Sequence, residues 1–197
     1  MALNSNRRRK EKVIKKLLLI LVAIAFLGGC SGKRASKYDG VIGEGIAEFS
    51  EQFNTHMKNM IDLAGMPDGT YKANRKTYNA LESKLDVMIT RASVASGGKG
   101  CKLKKKVYGR VESLFKDGIP SEMKRSTNRH GNPDGCNEKL LALVKEQLSH
   151  VKKVHRDAYQ CGKKRLSCLR PTTARTTLNL VNQSIDAVSV IEAAKKQ

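Results

Sequence analysis

Histidines are the first residues to consider for catalysis or metal binding, and the chain has only four: His56, His130, His150 and His155. No HExxH motif occurs, and His150 and His155 are spaced so that they fall on different faces of a helix. Residues 130–135, HGNPDG, would place Asn132, Asp134 and Gly135 at positions three, five and six of a calcium loop. Position twelve of that loop would be Leu141 in place of the chelating glutamate. We therefore predict no metal site and no cofactor.

Motifs that mark nucleophilic or phosphate-binding sites are also missing. The chain contains neither GxSxG nor GxxxxGK[ST]. We predict that the protein acts by binding and is not an enzyme. An enzyme whose catalytic residues converge only after folding remains an alternative, and a buried group of carboxylates or histidines in a pocket would favour it.

The first thirty residues have the pattern of an export signal. Residues 6–16, NRRRKEKVIKK, are strongly basic, and the uncharged run that follows, 17–29, is shorter than the about 20 apolar residues that a spanning helix needs. The run ends in LGGC at 27–30, which resembles the lipobox of bacterial lipoproteins. This resemblance implies cleavage before Cys30, a diacylglyceryl thioether on its thiol and an acylated new amino terminus. The alternative is an uncleaved single-span anchor.

The lipoprotein resemblance also implies a location and a domain plan. Residues 1–29 would be a cleaved signal peptide, 30–40 a flexible tether and 41–197 one folded domain. Two or three acyl chains, at ~0.8 kcal/mol per buried CH₂, would hold the protein on a membrane of the cell envelope. In lipoproteins of Gram-negative type, Ser31 resembles a signal for release to the outer membrane, where the protein would lie on the periplasmic face.

Four further cysteines lie in the exported part of the chain: Cys101, Cys136, Cys161 and Cys168. Cysteines of exported domains usually form disulfides, and these four have no CxxC spacing that would indicate a zinc site. We predict two disulfide bonds. Four cysteines allow three pairings, so the choice among them needs an arrangement of helices.

Apolar residues recur every three or four positions through most of the domain, which predicts an all-α fold. The stripes predict four long helices at about 41–64, 72–95, 137–161 and 172–194, and a short one at 107–115. Residues 119–136 have no such period and carry the turn signals Asn132-Pro133 and Asp134-Gly135. We predict an up-and-down antiparallel bundle of four long helices, with a basic insertion at 99–136.

This bundle favours one disulfide pairing. If the helices alternate in direction, Cys101 and Cys136 lie at the same end, and a bond between them would staple the insertion at its base. Cys161 and Cys168 would then close a turn at the opposite end, because a helix that continued through them would separate them by ~10.5 Å along its axis. Pairing of Cys101 with Cys161 or Cys168 is the alternative if the short helix is a full member of the bundle.

The chain has a formal net charge of +20, and most of the excess in the exported part lies between 99 and 170. Clustered cations of this kind attract polyanions. The candidate anion-binding residues are Lys102, Lys104, Lys105, Lys106, Arg110, Lys152, Lys153, Arg156, Lys163, Lys164 and Arg165. We expect no nucleic acid as a partner, because the protein is exported and only Tyr108 interleaves with these cations as a surface for base stacking.

The expected function is therefore that of a lipid-anchored accessory protein of the cell envelope. Its partners would be the membrane, through the acyl chains, and an anionic lipid, lipopolysaccharide or the cell wall, through the basic region. The alternative to such binding is a purely structural envelope lipoprotein, since charged runs are often only solvated surface.

Overall fold

The computed structural model describes residues 37–127, 131–157, 160–161 and 165–196, and five α-helices contain most of them. The helices are α1 (Gly40–Asp62), α2 (Tyr71–Ser96), α3 (Lys105–Glu112), α4 (Pro133–Asp157) and α5 (Pro171–Lys195). A 3-10 turn at Pro67–Gly69 joins α1 to α2. The predicted signal peptide and Cys30, His130, Lys163 and Lys164 lie outside the described residues. In the part of the chain that is described, no helix is both long and apolar enough to cross a membrane.

Short polar side chains begin the first two helices. The Asp39 carboxylate accepts a hydrogen bond from the Val41 N–H at 3.0 Å, and the Thr70 hydroxyl accepts one from the Ala73 N–H at 3.4 Å. Gly97, at φ +59°, ends α2 in the left-handed conformation that favours glycine. These two helices match their predicted bounds within a few residues.

Helix α4 differs from its predicted bounds at both ends. It begins at Pro133, whereas the sequence indicated a turn there and a helix start at 137. Proline suits the first turn of a helix, because that turn does not use its N–H groups for intrahelical bonds. The close approach of the preceding segment also requires Gly135, since a Cβ on this residue would lie 2.5 Å from the Lys99 carbonyl oxygen. The helix ends at Asp157 instead of 161.

Two short strand pairs are the other departure from the predicted all-helical chain. Strand β1 (Lys102–Leu103) pairs in parallel with β2 (Lys124–Arg125), and β3 (Gln160–Cys161) pairs antiparallel with β4 (Leu166–Ser167). Each strand has two residues, which is too short to produce a recognisable period-two pattern in the sequence. The fold is therefore mostly helical, with small strand contacts in the connections.

The four long helices enclose the main apolar core. Helix α1 packs against α2 and α5, and α4 packs against the same two helices. The predicted apolar stripes point inward: Ile42, Phe49 and Phe53 of α1 and Leu85 of α2 are completely buried. The short helix α3 packs against α5, with Val111 buried.

Direct contacts define two ends of these long helices. At the first end, the Asp39 N–H donates to Glu192 at 3.1 Å, and the Ser96 hydroxyl donates to Glu138 at 2.9 Å. We call this the Cys101 end, because the Cys101–Cys136 disulfide lies beside Ser96 and Glu138 in the chain. The opposite end holds the Cys161–Cys168 disulfide and is called the Cys161 end. Both predicted disulfide pairs are present.

Candidate anion-binding surface

A cluster of cations lies on the segment that connects α2 to α4, residues 97–132. The β1–β2 pairing sets Lys102 opposite Lys124 and Leu103 opposite Arg125. Paired strands are ~4.8 Å apart, so the two lysine backbones are close and their like charges oppose each other. We define the basic surface as seven exposed cations that lie on β1, β2 and α3 and at the capping residue of α3. They are Lys102, Lys104, Lys105, Lys106, Arg110, Lys124 and Arg125.

The disulfide and Asn132 hold this segment against α4. Asn132 exchanges backbone hydrogen bonds with Lys102, at 2.7 and 3.4 Å. Its side-chain amide donates to the Lys99 carbonyl at 2.7 Å. Cys101 is joined to Cys136, in the first turn of α4. The position of Lys102 is therefore fixed by covalent and hydrogen bonds on both sides.

Helix α3 begins with positively charged residues, which are unfavourable at a helix amino terminus. Lys104 is the capping residue, and its side chain makes no capping hydrogen bond; Lys105 and Lys106 follow, and the first turn has no acidic residue. The amino-terminal end of a helix dipole carries partial positive charge, so these lysines repel it. An anion near this turn would relieve that repulsion.

None of the seven cations of the basic surface forms an ion pair with a carboxylate of the described ranges. Some cations elsewhere do form ion pairs. The Lys152 ammonium lies 2.6 Å from the Glu82 carboxylate, and both side chains are about one-fifth exposed. The Arg156 guanidinium lies 2.6 Å from the carboxylate of its neighbour Asp157.

The structure separates the predicted anion-binding residues into two groups. Lys102, Lys104, Lys105, Lys106 and Arg110 belong to the basic surface. Lys152, Lys153 and Arg156 lie in the last turns of α4, toward the Cys161 end, and Arg165 is exposed next to β4. Lys124 and Arg125, which were not among the predicted candidates, join the first group through the strand pairing.

A network of buried charges lies at the Cys101 end. The Lys195 ammonium is 2.5 Å from both the Asp134 and the Glu192 carboxylates, and the Lys195 and Glu192 side chains are 2% exposed. The Asn137 amide also donates a hydrogen bond to Glu192. Opposite charges thereby connect α4 to α5 in the interior, where each buried charge needs a partner of opposite sign.

A cluster of aromatic rings and histidines is buried at the Cys161 end. The His155 Nε2–H donates to the Gly69 carbonyl at 2.9 Å, so Nδ1 of this neutral ring accepts from the Tyr78 hydroxyl at 3.0 Å. The His56 ring meets the Tyr78 ring edge-on, with 4.6 Å between centroids. Among the described residues, its Nε2 has no hydrogen-bond partner.

Burial changes the proton affinities of this cluster. It lowers the pKa of His56 to about 4, with the nearby His155 contributing to the decrease. Burial also lowers the pKa of His155, although the hydrogen bond to Gly69 acts to raise it. The same burial raises the pKa of Tyr78. All three side chains are therefore uncharged near neutral pH.

One cavity of about 260 Å³ opens between the connecting segment and α4. Its lining combines apolar residues such as Met123 and Leu140 with the charged Glu122, Lys139 and Glu146. Neither the buried charges around Lys195 nor the histidine cluster lines it. Among the described residues, no group of three or more His, Cys, Asp or Glu side chains is arranged to hold a metal ion.

The basic surface is thus the best-defined candidate for a ligand-binding site in the described domain. Its exposed, unpaired cations can attract phosphate, carboxylate or sulfate groups, and none of them needs to leave an existing ion pair to do so. No protein-family model, curated protein or solved structure matches this chain.

Proposed function

We propose that the chain is a lipid-anchored accessory protein of the bacterial cell envelope that binds polyanions through its basic surface. Acyl chains on Cys30 would hold it on the membrane, on the periplasmic face of the outer membrane if the cell is Gram-negative. The observation that carries the binding function is that seven exposed cations lie together and form no ion pair with the carboxylates that the structure describes.

We infer that the four long helices form an up-and-down antiparallel bundle with a disulfide-stapled basic insertion. Contacts between opposite helix ends support this arrangement: the start of α1 meets the end of α2 through the Asp39–Arg91 ion pair. The end of α2 meets the start of α4 through Ser96 and Glu138. The connecting segment leaves and re-enters the bundle beside Cys101 and Cys136, so its cations can project without interrupting a long helix.

Electrostatic repulsion within the basic surface supports an anionic ligand. Lys102 faces Lys124 across the strand pair, and three lysines surround the amino terminus of α3. Both arrangements oppose folding slightly in the absence of a ligand. An anionic polymer or lipid surface would compensate for this repulsion, and the binding would weaken as salt shortens the Debye length below ~10 Å.

The envelope supplies anions of the required kind. Phospholipid headgroups, lipopolysaccharide phosphates and cell-wall peptide carboxylates are all accessible to a lipid-anchored domain. We do not propose nucleic acid as the ligand, because Tyr108, the aromatic residue closest in sequence to the lysines, is partly buried and does not provide a stacking platform.

Changing Lys102, Lys104, Lys105 and Lys106 to Gln is expected to weaken polyanion binding strongly while preserving the fold. At ~1 kcal/mol per lysine near an anionic surface, affinity should fall on the order of 100-fold or more at low salt. Each exposed substitution should change the free energy of unfolding by no more than about 0.5 kcal/mol. Binding of the mature protein in neutral detergent to lipopolysaccharide, to sacculi and to heparin, across salt concentrations, measures this effect.

A matched control removes the same charge from the Cys161 end. Lys58, Lys72, Arg75 and Lys76 are exposed and make no ion pair with the described carboxylates, and their change to Gln should reduce binding far less. Equal losses in the two variants would indicate attraction by net charge alone. If the unmodified protein binds none of the three polyanions at low salt, the basic surface is only solvated and the protein is a structural lipoprotein.

A further inference from the structure

We propose that the basic surface binds the anionic phospholipid headgroups of the same leaflet that holds the protein's acyl chains. This inference rests on the proposed function and identifies its ligand. The protein would then attach to one membrane twice, through lipid inserted in the bilayer and through cations on its surface. The acyl chains would retain the protein on the membrane, and the basic contact would orient the domain against it.

A short series of contacts connects the start of the domain to the basic surface. The Asp39 N–H donates to the Glu192 carboxylate at 3.1 Å, and Glu192 also accepts a hydrogen bond from Asn137. Asn137 follows Cys136, which is bonded to Cys101, and Cys101 directly precedes Lys102. The point where the tether joins the domain and the first lysine of the basic surface therefore lie at the same end of the long helices.

Side-chain contacts fix this joining point on the domain. The Asp39 carboxylate lies 3.1 Å from the Arg91 guanidinium, and the Lys196 ammonium lies 4.0 Å from the centre of the Tyr38 ring. The Tyr38 ring crosses α1 at Gly43, where an added Cβ would lie 2.4 Å from its hydroxyl oxygen. The chain therefore enters α1 from a defined position and does not pivot freely at Gly40.

The length of the tether brings the Cys101 end close to the membrane. From Cys30 to Tyr38, the first residue held on the domain, the chain has eight residue steps. They can extend at most ~29 Å and would span roughly 16 Å as a flexible chain. Cations at the Cys161 end are a further ~35 Å away, the length of α1. Because electrostatic attraction to a membrane fades over ~10 Å, it acts first on the cations of the Cys101 end.

Three carboxylates at the Cys101 end are compensated by cations of the protein. Asp39 is paired with Arg91, and Asp134 and Glu192 are buried with Lys195. Their charges are compensated within the protein. The described part of the connecting segment holds nine Lys or Arg residues against three carboxylates, Glu112, Asp117 and Glu122. The local field at this end is therefore positive.

Amine labelling of the mature, lipid-anchored protein tests this orientation. The protein is reconstituted into vesicles of phosphatidylcholine alone or of phosphatidylcholine mixed with phosphatidylglycerol, and the labelling rate of each lysine is measured by mass spectrometry. We expect Lys102, Lys104, Lys105 and Lys106 to label about fivefold more slowly on the anionic vesicles. High salt should remove this protection, and Lys58, Lys72 and Lys76 at the Cys161 end should label equally on both kinds of vesicle.

Equal labelling of the four basic-surface lysines on the two kinds of vesicle would overturn the inference, as would protection confined to Lys58, Lys72 and Lys76. Comparison with the polyanion-binding experiment separates the two proposals. If the mature protein binds lipopolysaccharide, sacculi or heparin through the basic surface but shows no protection on its own vesicles, the surface faces a ligand elsewhere. If it binds no polyanion in either experiment, the proposed function itself is wrong.

Discussion

Replacement of Lys195 by methionine is expected to lower the free energy of unfolding by about 3–5 kcal/mol. The Lys195 ammonium lies 2.5 Å from both Asp134 and Glu192, and the side chain is 2% exposed. Methionine keeps much of the apolar stem but removes the Lys195 cation from two buried carboxylates. Urea unfolding of the domain, followed by circular dichroism, measures the change.

Two further variants test whether the loss comes from uncompensated charge. Lys58→Met removes an exposed lysine and should change the unfolding free energy by no more than about 0.5 kcal/mol. Adding Glu192→Gln to Lys195→Met should recover part of the lost stability, because only one buried carboxylate then remains. A Lys195→Met domain as stable as Lys58→Met would contradict the charge network.

Acid should destabilise the domain between about pH 6.5 and pH 4. The pKa of His56 falls to about 4 on folding, whereas an unfolded histidine titrates near 6.5. Within this window the unfolded chain binds more protons than the folded one, so stability decreases as the pH falls. His56 alone should account for roughly 3 kcal/mol by pH 4, and the lowered pKa of His155 acts in the same direction.

Substitutions of two histidines separate this effect from general acid unfolding. His56→Phe keeps a ring against Tyr78 and should flatten the decline in stability between pH 6.5 and 4. His150→Gln, at an exposed position of α4, should leave the decline unchanged. Unfolding free energies measured at several pH values provide the comparison, and an unaltered slope in His56→Phe would show that His56 is not the group responsible.

The helices could be predicted from sequence because their apolar residues follow one period. Ile42, Ile46, Phe49 and Phe53 recur every three or four positions, and all are buried. The disulfide pairs could be predicted because long helices that alternate in direction would bring the end of α2 beside the start of α4, where Cys101 and Cys136 lie. Both predictions depend on features that extend over many residues.

The connecting segment could not be predicted in the same way, because its structure depends on contacts distant in sequence. The pairing of Lys102 with Lys124 has no periodic signal, so Lys124 and Arg125 were not recognised as neighbours of the predicted lysines. The Pro133 signal was also ambiguous, since proline favours both turns and the first turn of a helix. In the structure, Pro133 is the first residue of α4.

The buried charges of α5 could have been recognised from the position of one glutamate in the sequence. Glu192 lies four positions after Val188 and seven after Ile185, on the apolar face of the helix. A carboxylate at such a position requires a buried partner, and Lys195 one turn later provides it. Asp134 could not be identified as the third member from sequence, because α4 was predicted to begin after it.

Intact-mass and peptide analysis of the protein extracted from bacterial membranes is the decisive measurement, because every proposed contact with the envelope depends on an anchor at Cys30. We expect a chain that begins at Cys30, with a diacylglyceryl thioether on its sulfur and an acylated amino terminus, and without residues 1–29. A membrane-bound chain running intact from Met1 to Gln197 with an unmodified Cys30 would contradict this expectation.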